Sequence, residues 1–217
     1  MSMELIQRLA TGQINNVNDS IAGGGGGNIG PQVGYAPGQL GKILELDDSE
    51  VAPLTATGGS NLAAIYGGGF QYVRLSASAA VPIPGQILFW DILSNAVDNL
   101  FQVTTAESGS TDTAMLRAGI CLTPSLTVGN YTFIQIWGPC YVKFRATLTA
   151  AGAAGSRVYA AAAGGADLGF ADVIDSANPT LFSDVSKMEG RWIGVAQEAP
   201  TSGGLKRVYV EKGRPRG

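Results

Sequence analysis

The sequence predicts an all-β protein: a β-sandwich or barrel-like domain behind an extended N-terminal arm. Three observations lead there. Glycine makes up 31 of the 217 residues, about twice its usual share of roughly 7%. With Pro, Asn, Asp and Ser it cuts the apolar sequence into short runs. Those runs are rich in β-branched and aromatic residues, and several alternate with a period of two, the spacing of a strand with two different faces. Charged residues are only 14%, against roughly 25% in ordinary soluble domains, which suits a protein that covers much of its surface with partners. Hydrophobic content of 45% argues against disorder, which needs low hydrophobicity and high net charge. No apolar run approaches the ~18 residues of a membrane-spanning helix. A chain of this length can bury roughly 70% of its unfolded surface, so a core without metal or disulfide staples is expected.

Residues 1–40 read as the arm. Leu5, Ile6 and Leu9 form a short apolar patch that fits one or two helical turns, and an Asn/Gly-rich spacer follows. Alone, such a segment cannot offset roughly 1–2 kcal/mol of backbone entropy per residue, so it is expected to order only against another chain. Leu5, Ile6, Leu9 and Ile14 are the candidate partner-binding anchors. Residues 41–217 read as the β-rich domain. Strands are expected in GKILELDD, in FQYVRLSAS (Phe70 to Ser78), in GQILFWDIL (Gly85 to Leu93) and in LFQVTT (Leu100 to Thr105). Between the last two, Leu93, Ala96, Val97 and Leu100 have helical spacing, but a hairpin turn at Asp98-Asn99 is preferred. The strongest segment is NYTFIQIWGPCYVKFRATL. In it Ile134 and Ile136 share one face and Phe133, Gln135 and Trp137 the other. After Gly138-Pro139, Val142, Phe144 and Ala146 oppose Lys143, Arg145 and Thr147. The Gly-Pro break marks a boundary between two strands or a bulge, since proline cannot donate to a ladder. SRVYAAAA, RWIGVAQEA and LKRVYVEK complete the set. In the last, Val208 and Val210 oppose Arg207, Tyr209 and Glu211. The small residues from Ala150 to Gly169 suit close backbone approach, at a subunit interface or in a plain surface hairpin. Trp137, Tyr141 and Trp192 are candidate interface aromatics, with core packing the more ordinary role for each.

The same residues exclude most chemistry. There is no histidine, which removes Ser-His-Asp and Cys-His catalysis, the commonest metal ligand and the usual neutral-pH acid–base group. Cys121 and Cys140 sit in apolar contexts and read as buried free thiols, with no CxxC zinc or redox motif. Asp91, Asp98, Glu107 and Asp112 lie in one region, but Asp98 and Asp112 have turn contexts in which Asp bonds its own backbone. Asp47 to Glu50 lacks the spacing of a calcium loop. Gly25, Gly27 and Gly30 form a literal GxGxxG, yet no strand precedes it and two prolines follow. The run reads as a flexible tether instead of a dinucleotide or phosphate loop. Gly41-Lys42 is followed by Ile43, so a Walker A loop fails as well. The net charge of −3 argues against a nucleic-acid surface. The basic cluster Lys206, Arg207, Lys212, Arg214 and Arg216, interrupted by Glu211, reads as a solvated tail. The first residues lack the basic and apolar regions of a secretory signal, so the Asn18 and Asn130 sequons carry little weight. The protein is therefore expected not to be an enzyme, with no cofactor, metal, nucleic acid, membrane or small-molecule substrate.

From Ile134 to Phe144, Ala150 to Gly155, Arg157 to Ala160, Gly164-Gly165, Arg191 to Glu198 and Arg207 to Val210, the sequence resembles the phage capsid cement, or decoration, proteins. Their β-tulip-like domains carry an apolar strand ending in a Gly-Pro-like break, Ala/Gly and Gly-Gly turns, a G-x-A strand and a Val-rich final strand. The resemblance covers roughly residues 130 to 212. It implies a head-stabilising structural virion protein of a bacteriophage, made in the host cytoplasm. There it would bind the outer capsid surface and stabilise contacts between major capsid subunits. It also implies a homotrimer, with the arm reaching across the shell. The stretch from roughly 50 to 123 is extra relative to the smallest members, as an added subdomain or a larger sheet. The alternative reading is a self-associating β-rich tail-tube or fibre-base component.

Overall fold

A computed structural model describes residues 41, 43–48, 66–76, 80–91, 101–105, 117–122, 131–161, 169–173 and 191–212. The predicted arm with Leu5, Ile6, Leu9 and Ile14, the GxGxxG run and the Asp98-Asn99 turn lie outside them. The described residues form ten strands: β1 (Ile43–Leu46), β2 (Gly68–Leu75), β3 (Ile87–Trp90), β4 (Gln102–Thr104), β5 (Arg117–Cys121), β6 (Tyr131–Lys143), β7 (Arg157–Ala160), β8 (Ala171–Val173), β9 (Trp192–Ala196) and β10 (Leu205–Val210). The fold is all-β and barrel-like, as the sequence predicts.

Two pairing circuits share the long strand β6. The first half of β6 pairs antiparallel with β2, from Gly69↔Trp137 to Arg74↔Tyr131. β2 lies parallel to β4, β4 antiparallel to β3 and β3 antiparallel to β5. β5 returns to β6 through Ile120↔Gln135 and Cys121↔Ile134, which closes the circuit. β1 adds to the outside of β2. The second half of β6 pairs with β10, from Val210↔Gly138 to Leu205↔Lys143. β10, β9, β7 and β8 then follow in order, and a parallel bridge, Phe144↔Ala171, brings β8 back to the end of β6. Closure satisfies strand edges that would otherwise invite non-specific pairing. Of the strands within 50–123, β2 and β5 pair with β6, and β3 and β4 link them.

Strand β6 changes circuits at Gly138-Pro139. The chain takes neither expected form at that break: β6 runs through Gly138-Pro139 as one continuous strand with Gly138 at φ 101°, and its register shift against β2 lies earlier, at Ile136, between Gly69↔Trp137 and Phe70↔Gln135. A Cβ at 138 would lie 2.7 Å from the Gly67 carbonyl oxygen, so the position needs glycine for both its conformation and its close approach. Gln135 is fully buried just before the break, and its Nε2 donates to the Pro139 carbonyl at 2.9 Å. A side-chain amide thus satisfies the Pro139 carbonyl, the one backbone hydrogen-bonding group that proline keeps.

Alternation then sorts the core. Val73, Leu75, Leu88, Trp90, Val103, Ile134 and Ile136 form one cluster on one face of the first circuit. Phe70, Tyr72, Ile87, Phe89, Ile120 and Phe133, on the opposite face, join Val142, Phe144, Val158, Ile193, Val208 and Val210 of the second circuit. The first circuit is therefore covered on both faces. Each fully buried Leu, Ile or Phe contributes roughly 1.5–3 kcal/mol. Ile134 and Ile136 fall on one side and Phe133 on the other, as expected, and Val142 and Phe144 share a face. Ala146 departs from the pattern. It is exposed, because β6 ends at Lys143 and the chain turns there. The small residues Ala160 and Ala171 are buried in this molecule's own core, where β7 meets β8.

Buried polar groups brace each circuit from within. Asp172 on β8 accepts from Arg145 Nη1 at 3.0 Å, from the Thr149 backbone N–H at 2.9 Å and from Thr149 Oγ1. This fixes the turn after β6. Asp172→Asn replaces one of two acceptor oxygens, each facing donors, with an NH2, and is expected to lower stability by about 1–3 kcal/mol in urea unfolding. Ser76 Oγ donates to Asp91, which is buried. Asp91 is thereby a structural tie; Asp98, Glu107 and Asp112 lie outside the described residues. Cys121 and Cys140 are free and buried, as expected. Burial, and then the neighbouring Cys121, push the Cys140 thiol well above its ordinary range, which suppresses the reactive thiolate. Neither thiol is expected to react with Ellman's reagent in the native protein within the time in which both react in denaturant.

Candidate functional site

The outward face of β6, β10 and β9 carries the densest group of exposed aromatic and charged side chains described. β10 is paired on both sides, so its outward residues sit on a fixed surface. Val208 and Val210 point into the core, and Leu205, Arg207 and Tyr209 point out. Register places Lys143 beside Leu205, Tyr141 beside Arg207 and Pro139 beside Tyr209. On the other flank Val195 lies beside Tyr209, and Arg157 lies beside Val195. An apolar row, Pro139–Tyr209–Val195, therefore crosses three strands, with Tyr209 44% exposed at its centre.

One side of this row is an aromatic and cationic cluster. Tyr66 stacks on Tyr141 with ring centroids 6.3 Å apart. The Arg207 guanidinium lies 5.6 Å from the Tyr66 ring centre and reaches the Tyr66 hydroxyl at 3.5 Å. The Tyr141 phenol is pushed above its ordinary range, chiefly by its hydrogen bond with Tyr66 and then by burial, so it remains a neutral phenol at physiological pH. Glu198 accepts the Arg207 backbone N–H at 2.6 Å. On the other side, the Trp192 indole N–H donates to the Glu211 carboxylate at 2.8 Å. Trp192 meets Tyr159 edge to face at 5.2 Å, with Arg157 5.9 Å over its ring. A second group of exposed apolar side chains borders the face. Val81 is 57% exposed and Ile83 41% exposed, on the segment whose Gly85 packs against Leu205.

The three predicted aromatics separate. Tyr141 and Trp192 lie at the two ends of this face, each half-buried. Trp137 belongs elsewhere: it packs against the core of the first circuit, beside Gly69. It lies on the half of β6 that pairs with β2, whereas Tyr141 lies on the half that pairs with β10. The predicted anchors Leu5, Ile6, Leu9 and Ile14 are outside the described residues. The basic cluster differs from a free tail, since Lys206 and Arg207 are strand residues and Lys212 approaches Glu45 of β1 at 3.9 Å. Sequence reasoning did not single out Tyr209, although the alternation of LKRVYVEK placed it outward. Nor did it single out Tyr66, which lies in a Gly-rich context with no periodic signal.

The geometry suits contact with another macromolecule. Its aromatic rings and guanidinium are held in place before binding, and rigid anchors of these types carry much of the energy of protein interfaces. No protein family's sequence profile matches the chain, and no curated protein matches it in sequence. Among solved structures, the chain is similar to the head fiber gp8.5 N base of bacteriophage phi29, at 13% identity and a TM-score of 0.38, over 68% of this chain and 98% of that one.

Proposed function

We propose that this is a non-catalytic structural protein of a phage virion. In this reading it binds the outer surface of the capsid and holds neighbouring major capsid subunits together. The observation that carries the reading is the outward face of β6–β10–β9 with its border. Large apolar side chains stand in solvent there: Leu205 and Tyr209 on the paired strand β10, and Val81 and Ile83 on the segment before β3. Large exposed apolar side chains gathered on one face are a mark of protein–protein contact. The phage assignment itself rests on the resemblance between residues 130 and 212. Those segments become β6, the following Ala/Gly turn, β7, β9 and β10, joined in one circuit. A head-stabilising protein gains its effect by binding the assembled shell more tightly than its parts, and several weak contacts per oligomer multiply into high avidity.

The test is cosedimentation with expanded capsid shells lacking this protein, comparing the full chain with a chain beginning at Gly41. The full chain is expected to pellet with the shells and the shortened chain to stay in solution. Failure of the folded full chain to pellet would sink the capsid reading. Rings or tubes formed by the protein alone would favour the tail-tube or fibre-base alternative.

A further inference from the structure

We propose that the row Pro139–Tyr209–Val195 is a contact between two copies of this chain, packed face to face about a twofold axis through Tyr209. The inference does not rest on a capsid partner, but it takes up Tyr209 and leaves Leu205, Ile83 and Val81 as the exposed apolar surface for one. It begins with the order of side chains along β10. Arg207, Tyr209 and Glu211 follow one another at every second residue, a spacing of roughly 6.6–6.8 Å along a strand. Opposite charges thus flank an exposed aromatic ring at equal distances. A twofold axis through that ring sets Tyr209 against Tyr209 of the second copy. It sets Arg207 against the second copy's Glu211, twice over. The order of charges is thus complementary to itself about Tyr209, which is what an isologous contact requires.

The flanking groups are prepared for such a contact. Arg207 is held against the Tyr66 ring at 5.6 Å, and the Glu211 carboxylate by the Trp192 indole N–H at 2.8 Å. Their side-chain freedom is already restricted, so less is lost on association. Nearby charges are engaged within the chain. Lys143 donates to the Gly203 carbonyl at 2.6 Å, Lys212 lies 3.9 Å from Glu45 and Arg157 lies over Trp192. The central row is apolar and its flanks are charged, the usual layout of a protein interface with a dry centre and a polar rim.

Sedimentation equilibrium of the full chain tests this. The expected mass is about twice the 22.3 kDa of one chain. Tyr209→Glu is expected to weaken association at least about tenfold, as for a central aromatic anchor, with an unchanged circular dichroism spectrum. If that variant fails to fold, Tyr209→Ser replaces it. Arg207→Glu is expected to weaken association too, and adding Glu211→Arg is expected to restore it in part, because the swapped charges again face each other. A wild-type monomer would overturn the proposal. So would a trimer, which the family resemblance implies, or a dimer indifferent to Tyr209 and to the charge swap.

Discussion

Arg117→Met is expected to lower the unfolding free energy by about 2–4 kcal/mol, read from urea unfolding with an unchanged slope. Arg117 opens β5 in the first circuit, yet its guanidinium reaches the second. Nη1 donates to the carbonyls of Trp192 at 3.1 Å and Ile193 at 2.6 Å, and Nη2 donates to the carbonyl of Glu211. Burial pushes the guanidinium down to about 10, against the opposing pull of Glu211. It therefore remains a cation at neutral pH and is stabilised by carbonyl dipoles in place of water. Methionine matches much of the side-chain volume but cannot donate. Removing a charge from the interior recovers desolvation energy, which is why buried charges often contribute little net stability. Here the carbonyls of Trp192 and Glu211 lose a donor in a region where water has limited access, so the unfavourable term should dominate. Arg117→Lys should lie between the two, because one ammonium cannot reach carbonyls on both β9 and the end of β10 with Arg's planar fork. A loss under about 1 kcal/mol for Arg117→Met would mean that the guanidinium does not clamp the circuits together.

Arg117 also marks where sequence reasoning stopped. β2, β3, β4, β6, β7, β9 and β10 were legible because each carries a run of β formers between Gly or Pro breaks. β10 showed its two faces outright: Val208 and Val210 are buried and Tyr209 is exposed. β5, RAGIC, showed nothing of the kind. Both of its faces are covered, so alternation is absent, and an arginine at its start reads as solvent-facing. β8 is three residues long, too short for periodicity to register. Closure of the circuits was also hidden. The parallel pairing of β2 with β4 and the bridge from Phe144 to Ala171 join residues far apart in sequence, and no local propensity encodes them. The same reason applies to the candidate face. Tyr66 meets Tyr141 and Arg207 only after the fold is complete.

Gly194→Ala is expected to be at least as damaging, about 3–5 kcal/mol or failure to fold. Gly194 lies in β9 between Val210 of β10 and Val158 of β7, and its φ is 157°. A Cβ there would be driven into the carbonyl of Tyr209 and would lie 3.1 Å from the Val210 Cα. Both obstacles are backbone, so relief requires the strands to move apart, and close-packed strands resist that. Gly155 supplies the control. Its φ is 90°, but an added Cβ would meet nothing within 4 Å. Gly155→Ala should therefore cost only the conformational strain, about 1–2 kcal/mol. If the two substitutions cost the same, strain alone is at work and the β9–β10 contact is looser than described. If Gly194→Ala folds with a large loss, its effect should extend to the face above it. The displaced carbonyl belongs to Tyr209, and moving that strand tilts the ring that the proposed contact between copies uses. Gly194→Ala would then weaken self-association more than Gly155→Ala under conditions where both variants are fully folded.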